Sequence, residues 1–123
     1  MRVPMTGPRR RIAVDVDGTV TADHPEWWNG DFGEPHTEAI EWVNQQYING
    51  HTIMLYTARP ESVRHETAAW LRDNGVRYHA LVMEKLSAAM YVDNRAVPAK
   101  LIQQSSAPDV GEVNDTVNGW FDE

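Results

Sequence analysis

The chain has 123 residues and no cysteine, and its 18 acidic side chains outnumber its 11 lysines and arginines, for a formal net charge of -7. This length is typical of one domain, and the lack of thiols excludes disulfides and thiolate metal sites. The acidic balance disfavours extended nucleic-acid binding, which needs clustered Lys and Arg. No apolar run approaches the roughly 20 residues of a membrane span, so the sequence predicts a cytoplasmic protein without membrane contact.

Residues 1–10 are polar and are predicted to form a flexible leader ahead of the first strand. Arginines occupy three consecutive positions, Arg9 to Arg11. We interpret them as a solvated flank of that strand. The alternative is a local patch that holds a nucleotide or the end of a polynucleotide.

Two acids lie at the end of an apolar, β-branched run. The run covers residues 11–16 and predicts a buried strand. Asp15 and Asp17 lie at its end, just before Gly18. Side chains two residues apart on a strand share a face, so the two carboxylates are expected side by side. Like charges this close are tolerated when a cation lies between them or when one carries a proton. The pair therefore indicates a chemical site.

The elements that follow are predicted from hydrophobic periodicity and from Pro and Gly at their ends. A loop rich in Gly, Asp and Asn precedes the first helix and contains Trp27 and Trp28. The polar tail, 105–123, has apolar residues spaced as in a weak amphipathic helix, and its docking is left open. In chain order, the predictions are a loop over 18–33, a helix over 35–49, a strand over 51–56, a helix from 60 to 75, strands over 78–83 and 90–92, and a short helix over 96–104.

This alternation predicts a core domain over residues 11–104 with right-handed crossovers and a parallel sheet. The expected fold is α/β, a three-layer α/β/α Rossmann-like arrangement with helices on both faces. In such sheets, ligands bind beyond the carboxyl ends of the strands. Polar residues that follow the four predicted strands should therefore form one site: Asp15, Asp17, Thr57, Arg59, Glu84, Lys85, Asp93 and Asn94.

Several kinds of site are excluded by residue type and spacing. An EF-hand loop is rejected because Val20 stands where the turn glycine belongs. There is no phosphate-binding loop of the Walker type and no serine elbow, and the five histidines lack metal-binding spacing. What remains is phosphoryl transfer to an aspartate, which needs a divalent cation, a second carboxyl group for proton transfer, and a hydroxyl and an ammonium for the phosphoryl oxygens.

The chain resembles the haloacid dehalogenase superfamily in four ordered segments within residues 11–100. The first segment, Asp15-Val16-Asp17-Gly18-Thr19-Val20, is similar to the superfamily's first motif, and Leu55-Tyr56-Thr57-Ala58-Arg59 resembles its second motif. Lys85 fits the third motif, and Tyr91-Val92-Asp93-Asn94-Arg95 fits the fourth. Two positions depart from the superfamily pattern. Asn94 stands where many relatives have a second acid, and Met83-Glu84-Lys85-Leu86 replaces the frequent Gly-Lys-Pro.

The resemblance implies a role for each matching residue. Asp15 would be the nucleophile and a Mg²⁺ ligand, and Asp17 the general acid and base, with its carbonyl also on the metal. Thr57 and Lys85 would hold the phosphoryl group. Asp93 would complete the Mg²⁺ site, with Asn94 as a further candidate ligand. The implied enzyme is a phosphatase that forms an aspartyl-phosphate.

The spacing of the four segments leaves no room for a cap domain, so an open, capless site is expected. Trp27 and Trp28 are candidates for stacking on a substrate, with packing against the body as the alternative. Arg59 is a candidate for a substrate phosphate or carboxylate, with a local salt bridge as the alternative.

The capless groups that the pattern resembles are capsule-biosynthesis phosphatases and the phosphatase half of polynucleotide kinase-phosphatases. We favour a small phosphorylated substrate, a sugar phosphate or a nucleotide. The alternatives are a 3′-phosphatase of polynucleotide ends and a non-catalytic binding module. Homo-oligomerisation is left open.

Overall fold

The computed structural model describes residues 8–113. Most of the predicted leader (1–7) and the end of the predicted tail (114–123) lie outside the described residues. The regular elements are β1 (Arg11–Asp15), α1 (Thr37–Ile48), β2 (Thr52–Tyr56), α2 (Arg64–Asp73) and β3 (Ala80–Val82), with single 3₁₀ turns at Trp27–Asn29, Glu61–Val63 and Ala99–Leu101.

The three strands form a parallel sheet in the order β1-β2-β3. Val14 pairs with Leu55, and Leu55 pairs with Leu81. Each strand is joined to the next by a helix, as parallel neighbours require. The described chain is therefore a small α/β protein of the Rossmann-like kind, and this part of the sequence prediction is confirmed.

Helix α1 begins and ends at residues that suit its termini. The Nδ1 atom of His36 accepts a hydrogen bond from the Ala39 amide at 3.3 Å, which caps the first turn. Gly50, at φ +99°, follows the end of the helix. Between these ends, Ala39 and Val43 are fully buried one turn apart, as the helical period predicts.

One face of the sheet carries the core. Val14, Ile53 and Leu55 are buried on that face and belong to one apolar cluster with Val43 of α1 and Leu71 of α2. Two right-handed crossovers in the same direction place both helices on the same side of a sheet. Within residues 8–113, α1 and α2 therefore form one layer, and the remaining helical residues are short turns and the segment 110–113.

Two predicted elements are replaced by irregular chain. Residues 90–92 are exposed coil instead of a fourth strand. The Tyr91 hydroxyl donates to Leu86 O and accepts from the Ala88 amide at 3.2 Å, so the segment folds back on itself instead of extending along β1.

The predicted helix over 96–104 is reduced to the 3₁₀ turn Ala99–Leu101. Pro98 caps this turn in an extended conformation, so the turn cannot begin earlier. After this turn, the side-chain amide of Gln103 donates from Nε2 to the carbonyls of Gly18 and Thr19, both at 3.1 Å.

The first part of the predicted tail docks on α1. Trp42 Nε1 donates to Pro108 O at 2.7 Å, and the side chain of Gln46 bonds both Asp109 Oδ1 (3.1 Å) and the Val110 amide (3.4 Å). The question left open by the sequence is thus answered for residues 108–110. No helix in the described part of the chain is both long and apolar enough to cross a membrane.

Candidate active site

The turn after β1 places the two predicted carboxylates. Asp15 is the last residue of the strand, and Gly18 reverses the chain at φ +80°, a conformation that costs glycine little. The Gly18 amide donates to Thr21 Oγ1 at 2.8 Å and to Asp23 O at 3.1 Å. These bonds fix the turn, so Asp15 and Asp17 are held at the carboxyl end of the sheet.

Asp15 faces an ammonium group from another strand end. Lys85 Nζ lies 3.6 Å from Asp15 Oδ1, and the Asp15 side chain is 34% exposed. Burial raises the pKa of the Asp15 carboxyl above its usual 3.8; the charge of Lys85 and a hydrogen bond from the Val16 amide lower this pKa, and the nearby Asp17 raises it. The net effect is a raised pKa for Asp15, because burial outweighs the opposing influence of Lys85 and the Val16 amide.

Backbone pairing beyond β2 and β3 brings Lys85 to this position. The Thr57 amide donates to Val82 O, and the Lys85 amide donates to Thr57 O, each at 2.9 Å. Between them, Glu84 has a φ of +62°, the one positive value outside glycine among the described residues, and its amide donates to Arg59 O at 2.9 Å. The chain bends at Glu84 while its register with the Thr57 segment is kept.

Two aromatic rings surround the Lys85 ammonium. Nζ lies 4.1 Å from the centroid of Tyr56 and 4.5 Å from that of Tyr91. Cation–π contacts of this kind hold the charge in place. Tyr56 is the register partner of Asp15, so it points to the same face of the sheet and completes a cluster of Asp15, Lys85 and two tyrosines.

Asp17 is bound by the second predicted motif. Thr57 Oγ1 donates to Asp17 Oδ2 at 3.0 Å, and Arg59 Nη2 lies 2.6 Å from Oδ1. Arg59 Nε contacts both oxygens, at 3.1 and 3.3 Å. Asp17 is thus an acceptor for two neighbours, whose donors hold its carboxylate in one orientation.

The Arg59 side chain is fully buried. Its guanidinium also donates to Thr67 Oγ1 and to Phe32 O, both at 3.2 Å, and lies 5.3 Å from the Phe32 ring centroid. The structure therefore contains the local salt bridge that was the alternative to substrate binding. Through its contacts with Phe32, Arg59 also anchors the loop after β1 to the site.

The two tryptophans lie on the same loop. Trp27 and Trp28 meet edge to face at 5.2 Å, and Trp28 is 61% exposed. Trp28 is thus open to a ligand, whereas Trp27 is half-buried. Their use for stacking on a substrate remains a prediction.

The fourth predicted segment reaches the site through Tyr91, whose ring lies beside the Lys85 ammonium. Asp93 and Asn94 are exposed coil residues, and Asp93 Oδ1 accepts from the Arg95 amide at 2.8 Å. Within residues 8–113, no group of three or more His, Cys, Asp or Glu side chains is placed to hold a metal ion. Residues 90–92 are coil, and Asp93 follows them without a strand to position it; its use as a metal ligand remains a prediction.

Sequence reasoning missed the tyrosines around Lys85 and the Phe32 contact. Tyr56 was detectable in principle, since a residue paired with Asp15 in a parallel ladder shares its face. Tyr91 and Phe32 carry no local signal, because their contacts depend on how a coil segment and a long loop return to the sheet.

Comparisons with known proteins support the fold alone. No protein-family model matches the chain, and no curated protein matches it. A crystal structure of a protein from Vibrio cholerae is similar, with a TM-score of 0.72 and 19% identity over 90% of this chain and 98% of that one. A conserved protein from Bacteroides thetaiotaomicron has a TM-score of 0.50 and 23% identity over 89% of this chain and 90% of that one.

Proposed function

We propose that the chain is a Mg²⁺-dependent phosphomonoester hydrolase that acts on a small phosphorylated metabolite through an aspartyl-phosphate at Asp15. The observation that carries the proposal is the 3.6 Å approach of Lys85 Nζ to Asp15 Oδ1, beside the pair of Asp17 and Thr57. A partly exposed carboxylate next to an ammonium and a hydroxyl is suited to attack on a phosphoryl group. The capless three-layer fold of the haloacid dehalogenase type and the cytoplasmic location belong to the same proposal.

The first step transfers the phosphoryl group to the protein. An oxygen of Asp15 attacks phosphorus, and the ester P–O bond breaks as the new O–P bond forms. The departing oxygen takes a proton from Asp17, the predicted general acid. Lys85 donates to the phosphoryl oxygens, and the Thr57 hydroxyl turns from Asp17 Oδ2 to donate to them as well. The products are an alcohol and an acyl phosphate on Asp15.

The second step returns the protein to its starting state. Asp17, now ionised, accepts a proton from water as the water oxygen attacks phosphorus. The bond between the Asp15 oxygen and phosphorus breaks, which releases phosphate and restores the carboxylate. Because Arg59 contacts both oxygens of Asp17, this carboxylate keeps its orientation for both proton transfers.

The oxygen atoms at the end of β1 fit a hard divalent cation. Mg²⁺ is usually held by one or two carboxylates together with substrate phosphate oxygens and water. The Asp15 carboxylate and the main-chain carbonyl of Asp17 would hold it, and Asp93 is the further predicted ligand. When bound, Mg²⁺ would shield the negative charges of nucleophile and substrate from each other.

Hydrolysis of a generic aryl phosphate tests the proposal. With Mg²⁺, wild-type protein should release phosphate, and turnover should disappear in Asp15→Asn and with a chelator. Asp73→Asn, a change of the same type at an exposed residue of α2, should retain it. A panel of sugar phosphates, nucleotides and 3′-phosphorylated oligonucleotides then identifies the substrate, and a preference for the oligonucleotides would favour a polynucleotide 3′-phosphatase.

A non-catalytic binding module is the competing function. It is favoured by Asn94, which stands where many relatives have a second acid. This alternative predicts that phosphorylated ligands bind without turnover. If wild-type protein stays inactive with Mg²⁺ across the whole panel, the binding module is preferred over the hydrolase.

A further inference from the structure

A cavity of about 640 Å³ lies along β1, the edge strand of the sheet, and adjoins the candidate site. Its wall includes Ala13 of β1 and both Met54 and Tyr56 of β2. The Tyr56 ring also contacts the Lys85 ammonium at 4.1 Å. The same side chain therefore lines the cavity and supports the predicted phosphoryl-binding lysine, so the cavity begins next to the Asp15–Lys85 pair.

The charged side chains of the cavity wall are mostly positive. Arg10, Arg11 and Arg95 line it together with one acid, Asp93, although the whole chain has a net charge of -7. Asp93 accepts from its neighbouring backbone at 2.8 Å. Neither Arg11 nor Arg95 forms an ion pair with another residue in the range 8–113. Guanidinium groups bind phosphates and carboxylates through two parallel hydrogen bonds.

Strand geometry links these arginines to the predicted nucleophile. Arg11, Ala13 and Asp15 occupy alternate positions of β1, so they belong to one face of the sheet. At about 3.3 Å per residue, roughly 13 Å separates the backbone positions of Arg11 and Asp15. A ligand that meets both must be elongated. The sheet surface between them is uncharged, because it consists of Ala13, Met54 and Tyr56.

We propose that this cavity is a second anion subsite of the candidate active site. The substrate would be a small phosphomonoester whose far end carries a second anionic group, a phosphate or a carboxylate. This inference rests on the proposed hydrolase, whose reacting phosphate is held at Asp15 and Lys85. Arg11 and Arg95 bind the distal anion, and the apolar middle of the substrate lies over Ala13 and Met54.

Matched substrates test the subsite with the full-length protein. Hexanediol bisphosphate should be hydrolysed with a kcat/KM about tenfold above that of hexyl phosphate, since a charge-assisted contact is worth about that factor. Phosphooxyhexanoate distinguishes a carboxylate from a phosphate at the far end. In the double variant Arg11→Gln/Arg95→Gln, the ratio should fall to within about twofold of unity. Arg72→Gln, on α2 and outside the cavity wall, should keep the wild-type ratio.

A binding measurement separates failure of the subsite from failure of the hydrolase. If no phosphomonoester is turned over, the hydrolase proposal fails, and calorimetric titration of wild-type protein with the same two compounds still tests the cavity. Tighter binding of the bisphosphate that is lost in Arg11→Gln/Arg95→Gln supports the subsite. Equal kcat/KM and equal Kd for the two compounds overturn it, as does a preference that persists in the double variant or disappears in Arg72→Gln.

Discussion

The Arg59 guanidinium and the Asp17 carboxylate form an ion pair in which Nη2 lies 2.6 Å from Oδ1. The arginine side chain is completely buried, whereas that of Asp17 is 22% exposed. Burial of an arginine without a carboxylate partner is very costly. The pair therefore couples folding to the candidate chemistry, because the group that orients Asp17 also depends on Asp17 as its countercharge.

Loss of this arginine should destabilise the protein. Arg59→Met leaves Asp17 without its countercharge, so we expect the free energy of unfolding to fall by roughly 2–4 kcal/mol, measured by urea denaturation. Arg72→Met, which removes an exposed pair with Asp73, should cost at most about 0.5 kcal/mol. In the double variant Asp17→Asn/Arg59→Met, part of the loss should be recovered. Strict additivity of the two changes would show that the pair is not coupled.

Asp15→Asn should stabilise the protein at neutral pH. The same change should lower kcat by at least about a thousandfold. The pKa of Asp15 is raised in the folded state by burial, so the folded protein binds this proton more tightly than the unfolded chain does. The stability that Asp15 contributes is present below its unfolded pKa, near 3.8, and is lost as pH rises through the folded pKa.

Thermal unfolding across a pH series, with chelator present, measures this effect. The stability of Asp15→Asn relative to wild type should rise with pH above about 4 and then level off. Asp73→Asn, at an exposed site, is the control and should show no such rise. A relative stability of Asp15→Asn that is flat or falling with pH would contradict the assignment of burial as the dominant influence on Asp15.

Lys85→Met should affect both the phosphoryl site and Asp15. Loss of the ammonium should lower kcat by roughly 10²–10³-fold. Since the Lys85 charge lowers the pKa of Asp15, its removal should raise that pKa further, measurable by NMR titration of the carboxyl carbon in metal-free protein. Lys100→Met, at the other lysine of the chain, should leave the Asp15 titration unchanged. An unshifted Asp15 in Lys85→Met would place the two groups apart in solution.

The loop after β1 should depend on Gly33 more than on Gly30. Both have positive φ, +105° and +83°, but a Cβ on Gly33 would lie 2.9 Å from the buried Thr21 side chain, whereas one on Gly30 meets open space. Gly33→Ala should therefore cost roughly 3 kcal/mol and Gly30→Ala about 1 kcal/mol, measured by chemical denaturation. Equal costs would mean that the Thr21 side chain moves away from the added methyl group without a loss of stability.

The fold was predictable where local pattern and burial coincide. β1, α1 and β2 appear within two residues of their predicted bounds, because the period of apolar residues and the flanking Pro and Gly residues report directly on a half-buried element. The strand predicted at residues 90–92 was wrong because three apolar residues specify a strand only when a neighbouring edge pairs with them. In the structure, Tyr91 instead bonds the nearby Leu86 and Ala88.

The sequence by itself determined which chemical groups are available: two acids at one strand end, a threonine and an arginine at the next, and a lysine after the third. Only the tertiary structure decided their partners, pairing Asp17 with Arg59 and setting Lys85 between two tyrosines beside Asp15. The physical reason is that periodicity encodes the local conformation of a segment, whereas contacts between side chains depend on sheet register and on how the connecting loops return.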